Sequence, residues 1–264
     1  MNTTKERIEK ITTYGYELDF GTVFEQAFEN YKKIALYAGL MLLVFWILIS
    51  ILFSAGLISY VGIEHIEEYT NKMKELSTLK VIPLDIALPL NGSIILISAL
   101  INPFMAGFLK MADCGEKGEE FHVSTMFTYY KSPYFIAIFI SVFIIGITST
   151  GIAMLLQSAG LEFVGTVTTL LISFMTFMAI PLIVFEKLNA IDAIKSSISI
   201  VSKQPLVLLG LLIVAGIGAA LGIFGFCIGI FFTWPFLYSM NYTIYKNIFG
   251  NDYVSEIDEL GSNV

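Results

Sequence analysis

The chain has 264 residues, 56% of them apolar and 14% charged, with a mean hydropathy of +0.78. That balance excludes a water-soluble domain with a polar shell. The net charge of −7, from 22 acidic and 15 basic side chains, excludes a nucleic-acid surface, because phosphate binding needs clustered cations.

In chain order, residues 1–18 are a polar N-terminal segment. Next, "TVFEQAFENYKK" predicts an amphipathic helix, with Thr22 and Glu25 at capping-box spacing and an aromatic stripe of Phe20, Phe24, Phe28 and Tyr31 that ends at Lys32 and Lys33. The uncharged run 34–63 follows and predicts a first span over about 34–61. A span needs about 20 residues, since the hydrocarbon layer is roughly 30 Å thick and a helix rises about 1.5 Å per residue. Over residues 64–80, Ile66, Tyr69, Met73 and Leu76 keep helical spacing among charged residues, which predicts an amphipathic outer helix. The second span is expected over about 87–110, with Asn102 and Pro103 inside it.

"HVSTMFTYYKSP" then sets Met126, Phe127 and Tyr130 ahead of Lys131 as a second amphipathic lead-in, followed by spans over about 134–158 and 162–185, the latter holding Pro181. A third lead-in, "NAIDAIKSSISIVSKQP", puts Ile191, Ile194, Ile198 and Val201 on one helical face, with Asn189 to cap its start. Such a helix is expected to lie flat at the headgroup boundary. Residues 204–245 carry no charge, and one straight helix of that length would extend roughly 60 Å, so the run must fold back. Glycines at "GIFG", residues 222–225, favour the reversal there, giving spans over about 206–222 and 225–247 with Pro235 in the last. The acidic tail 251–264 is expected to be disordered.

The expected fold is therefore all-α: a polytopic membrane protein whose six transmembrane helices form three helical hairpins, each preceded by a cytoplasmic interfacial amphipathic helix, in a single membrane domain over 19–250. Lys5, Arg7, Lys10, Lys32, Lys33, Lys110, Lys117, Lys131, Lys187, Lys195, Lys203 and Lys246 fall on one face, and Lys72, Lys74 and Lys80 on the other. The positive-inside rule places both termini in the cytoplasm. Aligning Lys32, Lys131 and Lys203 superposes "FENYKKIAL", "FTYYKSPYF" and "SIVSKQPLV", and the second helix of each hairpin carries a proline, which reads as three copies of one unit.

The run "PLIVFEKLNAIDAIKSSISIVSKQPLVLLGLL", with "GFCIGIFFTWPFLYSMNYTIYKNIFG" and "FEQAFENYKK", resembles an uncharacterised bacterial family of six-span integral membrane proteins. That family is akin to the membrane domain attached to some glycerophosphodiester phosphodiesterases. The likeness covers residues 19 to about 250 and implies a protein of the bacterial cytoplasmic (inner) membrane, with no active site carried over. Some similar sequences bear a carotene monooxygenase label. That chemistry uses four histidine iron ligands, whereas His65 and His122 are the only histidines here and fall on opposite faces.

No cofactor and no metal is expected: the histidines cannot meet, and Cys114 and Cys227 sit at opposite ends of their spans. Walker, HExxH and GxSxG motifs are absent. Gly218 with Gly222, and Gly225 with Gly229, are GxxxG pairs expected to pack the fifth helix on the sixth rather than to form a dimer interface. Pro103, Pro181 and Pro235 are candidate kinks, and Asn102, Thr176 and Asn241 candidate cavity-lining polar residues. Asn102 and Asn241 are expected more often to satisfy backbone groups near a kink. The leading expectation is a non-enzymatic scaffold or accessory subunit whose partners are membrane lipids, other membrane proteins or a second copy. The alternative is a small permease or lipid-handling transporter with a path between the bent helices.

Overall fold

The computed structural model describes residues 4–78, 82–131, 133–225 and 228–250. Lys80, Cys227 and the acidic tail lie outside the described residues. Among the described residues the chain is helical with no strand, and 5 helical stretches are long and apolar enough to cross a membrane. The chain is an all-helical membrane protein.

Helix α1 (Thr4–Tyr14) packs against α8 (Ala190–Val201) and buries Ile11. It ends at Gly15, whose φ of +80° suits a residue without Cβ. Helix α2 (Phe20–Val61) then runs for 42 residues, about 63 Å at the helical rise. Its N-cap is Asp19, whose Oδ1 accepts from the Thr22 amide at 2.7 Å, so the expected Thr22–Glu25 box is not the start signal. The expected lead-in helix and first span are thus a single helix, because no proline interrupts residues 20–61. After a 3-10 turn (Ile63–His65) comes α3 (Ile66–Thr78), the amphipathic outer segment.

Helix α4 (Leu84–Lys117) pairs antiparallel with α2: the Asn30 amide donates to the Ala112 carbonyl at 2.9 Å, and the Phe45 and Phe104 rings stack at 3.8 Å. The chain then doubles back along α4 as a 3-10 helix (Val123–Tyr130) rather than the expected amphipathic α-helix. Gly107 permits this closeness, since a Cβ there would stand 2.6 Å from Met126 Cα.

Helix α5 (Tyr134–Ser158) fills the third apolar run. The fourth is divided into α6 (Glu162–Thr176) and α7 (Ala179–Glu186), since Pro181 removes a backbone donor and crowds the carbonyl four residues earlier. In α8, capped by Asn189 accepting from the Asp192 amide at 3.0 Å, the buried face is Ala190, Ala193, Ser197, Ile200 and Val201. Of the expected stripe, Ile191 and Ile198 stay exposed while Val201 is buried with the small residues, which let α8 approach α6 and α7 closely.

Helix α9 (Pro205–Ala220) with the 3-10 turn Leu221–Phe224 is the fifth long stretch. The expected sixth helix over 225–247 is not one helix. Pro235 splits it into α10 (Gly229–Thr233) and α11 (Pro235–Phe249), neither long enough to cross alone.

Helix α11 forms the centre of the core, with Phe236, Met240 and Ile244 packed among Ala27 of α2, Leu182 of α7 and Leu211 of α9. This core sits at the end bearing Lys32, Lys117 and Lys246. The other end is open. Only 6% of the most apolar window of α2 is buried, against 39% for the stretch Glu162–Glu186, so α2 stands away from its neighbours where α7 is enclosed.

Candidate functional site

At the reversal after α9, Gly222 and Gly229 face each other: a Cβ on Gly222 would lie 2.5 Å from the Gly229 carbonyl carbon. Gly225 approaches Gly229 at 3.2 Å on the same measure, and a Cβ on Gly218 would meet the Phe236 ring at 2.8 Å. The Thr233 hydroxyl donates to the Ala219 carbonyl at 2.6 Å and closes the turn. One glycine from each pair therefore meets the other inside this chain, across the reversal. Gly39 of α2, which spacing did not flag, plays the same part for α10: a Cβ there would run into the Phe232 ring.

Each of the three prolines lies beside a carbonyl that takes a hydrogen bond from another element. The Tyr130 hydroxyl donates to Leu100 O at 3.0 Å, ahead of Pro103. Ahead of Pro235, the Tyr31 hydroxyl donates to Phe232 O at 3.0 Å. Before Pro181, Ser197 donates to Met175 O at 2.8 Å and the Asn241 amide reaches Phe177 O at 3.5 Å. Phe177 carries the carbonyl that Pro181 leaves without its helical donor.

The three candidate cavity residues are not brought together. Asn102 donates to Ser98 O one turn back at 3.0 Å, and Thr176 to Ile172 O at 2.8 Å. Asn241 points across to the junction of α6 and α7, with its Oδ1 buried and without a hydrogen-bond partner among the described residues.

Polar contacts that composition alone did not reveal tie the lysine-bearing end together. Arg7 donates to Glu186 at 3.2 Å and to the carbonyl of Phe249, and its guanidinium lies 5.3 Å from the Phe249 ring centre. Glu186 also accepts from the Tyr245 hydroxyl at 2.7 Å. The only arginine thus clips α1 to the ends of α7 and α11. The signal for it was the burial expected of a fork-shaped donor, but its partners are 179 and 242 residues away. Nearby, Asp113 is held by Lys110 at 2.6 Å and Lys117 at 2.7 Å, while Tyr242 donates to Asp113 at 3.1 Å and to Glu116 at 2.7 Å. Outside the spans, Asp19 is held below the usual carboxylate range by its hydrogen bonds with Thr22, and burial pushes Tyr16 up.

His65 follows α2 in the 3-10 turn and His122 precedes the 3-10 helix beside α4; among the described residues no three His, Cys, Asp or Glu side chains are grouped to hold a metal ion. Two grooves open on the flank of α5. One, of about 300 Å³, is lined by Tyr134, Ala137, Ile140, Ile183, Lys187 and Asn189 among others. The next, also about 300 Å³, lies between Ile144 and Thr148 of α5, Leu171 and Thr176 of α6, and Ile194 and Ile198 of α8. Because the α5 and α8 positions advance together from one groove to the next, α8 runs alongside α5. No family model, no curated protein and no solved structure matches this chain.

Proposed function

We propose that the chain is a non-enzymatic scaffold or accessory subunit of the bacterial cytoplasmic membrane, with both termini inside, akin to the six-span family its sequence resembles. One observation carries this reading: the outer part of α2. Helix α10 meets α2 at Gly39 and α4 meets it as far as the Phe45–Phe104 stack, and residues 46–61 run on for about 24 Å beyond those contacts. Around this length Trp46, Ile47, Leu48, Leu52, Phe53 and Ile58 are all exposed, so apolar side chains point outward around most of the circumference. A helix left open around most of its circumference offers a partner span a broad surface, while the filled core at the other end holds it upright.

The proposed architecture is three hairpins, each bound by the lead-in of the next. Its support is the matched spacing of Tyr31 and Tyr130, each one residue before its aligned lysine and each bonded to a carbonyl three residues before a proline. The third copy departs from the pattern, using Ser197 instead.

A photo-crosslinking side chain at Leu52 in native membranes tests the role. A discrete protein adduct is expected; adducts to lipid alone at Leu48, Leu52 and Phe53 would overturn it. A lipid-handling role is the second reading, favoured by the groove on α5 that includes Thr176. Lipid flux in vesicles would distinguish it.

A further inference from the structure

Lys187 is the only described non-glycine residue with positive φ, at +56°. It ends α7 in the left-handed conformation, where glycine or asparagine is the easy choice and a lysine pays a steric penalty. Backbone strain retained at a cap asks what the side chain is for. Among the described residues Lys187 makes no ion pair. The carboxylates nearest to it in sequence are occupied: Glu186 by Arg7 and Tyr245, and Asp192 by the Asn189 amide at 2.8 Å.

Lys187 is exposed and is one of the residues that line the first α5 groove, together with Asn189 and Tyr134. The two grooves follow one another along α5, with Ala137 and Ile140 in the first and Ile144 and Thr148 in the second at helical spacing, so that end to end they mark out a track. Beyond Tyr134, Lys187 and Asn189 the lining is apolar apart from threonines, and the Thr176 hydroxyl is spent on its own helix. From Tyr134 to Thr148 the track measures about 21 Å, against about 15 Å for one leaflet's share of the hydrocarbon core. A cationic, hydrogen-bonding head joined to a chain-length apolar trough is complementary to one kind of molecule.

We infer that this track is a binding site for one anionic glycerophospholipid, its phosphate held by Lys187 and one acyl chain laid along α5 against Ile194 and Ile198. The inference rests on the membrane-scaffold reading and deepens it by naming the lipid class and its seat.

The test uses the full chain in detergent, observed by native mass spectrometry with phosphatidylglycerol or phosphatidylcholine of identical acyl chains. Retention of phosphatidylglycerol is expected to exceed that of phosphatidylcholine by about fivefold, the worth of one lysine at an anionic surface. Lys187→Gly should erase that preference while leaving thermal stability equal or higher, since glycine relaxes the cap. Ile140→Trp, which fills the trough, should lower retention of both lipids. Equal retention of the two lipids by the unsubstituted chain would overturn the site. So would a preference that survives Lys187→Gly, or competition by glycerol 3-phosphate as effective as the whole lipid. Crosslinking at Leu52 reads a different face, so a failure there would remove the scaffold role without touching these measurements.

Discussion

Tyr31 gives its hydroxyl hydrogen to the carbonyl of Phe232, three residues ahead of Pro235, and so fastens the inner half of α2 to the break between α10 and α11. Tyr130 does the same at Leu100, three residues ahead of Pro103. Tyr31→Phe and Tyr130→Phe are each expected to lower stability by about 0.5–1.5 kcal/mol, the net worth of one hydrogen bond. Thermal unfolding in a fixed detergent reads this, and two unequal losses, one near zero, would break the equivalence of the two sites.

Arg7 joins α1 to Glu186 and to the end of α11, and both side chains of the pair are largely buried. Removing one partner of such a pair leaves the other desolvated, which costs about 3 kcal/mol or more. Arg7→Gln should therefore destabilise the chain and open α1 to protease near Gly15. Arg7→Lys should recover only part of the loss, since an ammonium cannot span both acceptors as a guanidinium fork does. Full recovery by lysine would show that charge alone matters there.

Gly222 and Gly216 are predicted to respond in opposite directions. A Cβ on Gly222 has the Gly229 backbone at 2.5 Å, whereas at Gly216 nothing lies within 4 Å. Gly222→Ala should cost about 1–3 kcal/mol from overpacking, and Gly216→Ala should be neutral or stabilising by up to about 1 kcal/mol from helix propensity. Equal effects on unfolding would mean that the reversal is not close-packed at this point.

Asp19 caps α2 as a carboxylate, and its bonds with Thr22 hold its pKa below the ordinary range. A depressed folded-state pKa gives stability that is present above the unfolded value and lost as pH falls through the folded one. Amide exchange in the first turn of α2 should therefore quicken in acid in the native chain and stay pH-independent, beyond intrinsic exchange, in Asp19→Asn.

Much of the fold was legible because apolar runs of membrane length can do little else: the run ahead of residue 158 is α5, and the Asn189 cap starts α8. The continuity of α2 was legible too, had the absence of proline over 20–61 been weighed against the polar-to-apolar change at Lys33. Other features lie beyond local pattern. The 3-10 path of 123–130 depends on Gly107 admitting the Met126 backbone, and the inward face of α8 depends on α6 and α7 coming close enough to cover Ala190, Ala193 and Ser197. For the candidate site, the prolines marked where carbonyls would be freed, but not that Asn241 would reach the one at Phe177, nor that Tyr31, Tyr130 and Ser197 would come from elsewhere to bond neighbouring carbonyls.

The uninterrupted course of α2 has a mechanical consequence. A rod with no proline between Asp19 and Gly62 has no joint at which its ends could swing independently. Torque applied to the exposed far section must turn Tyr31 and Asn30 as well, and with them the grip on Phe232 and Ala112. Whatever seizes the distal part of this helix is thereby geared to the packing 40 Å or so away, about 27 residues along the same axis.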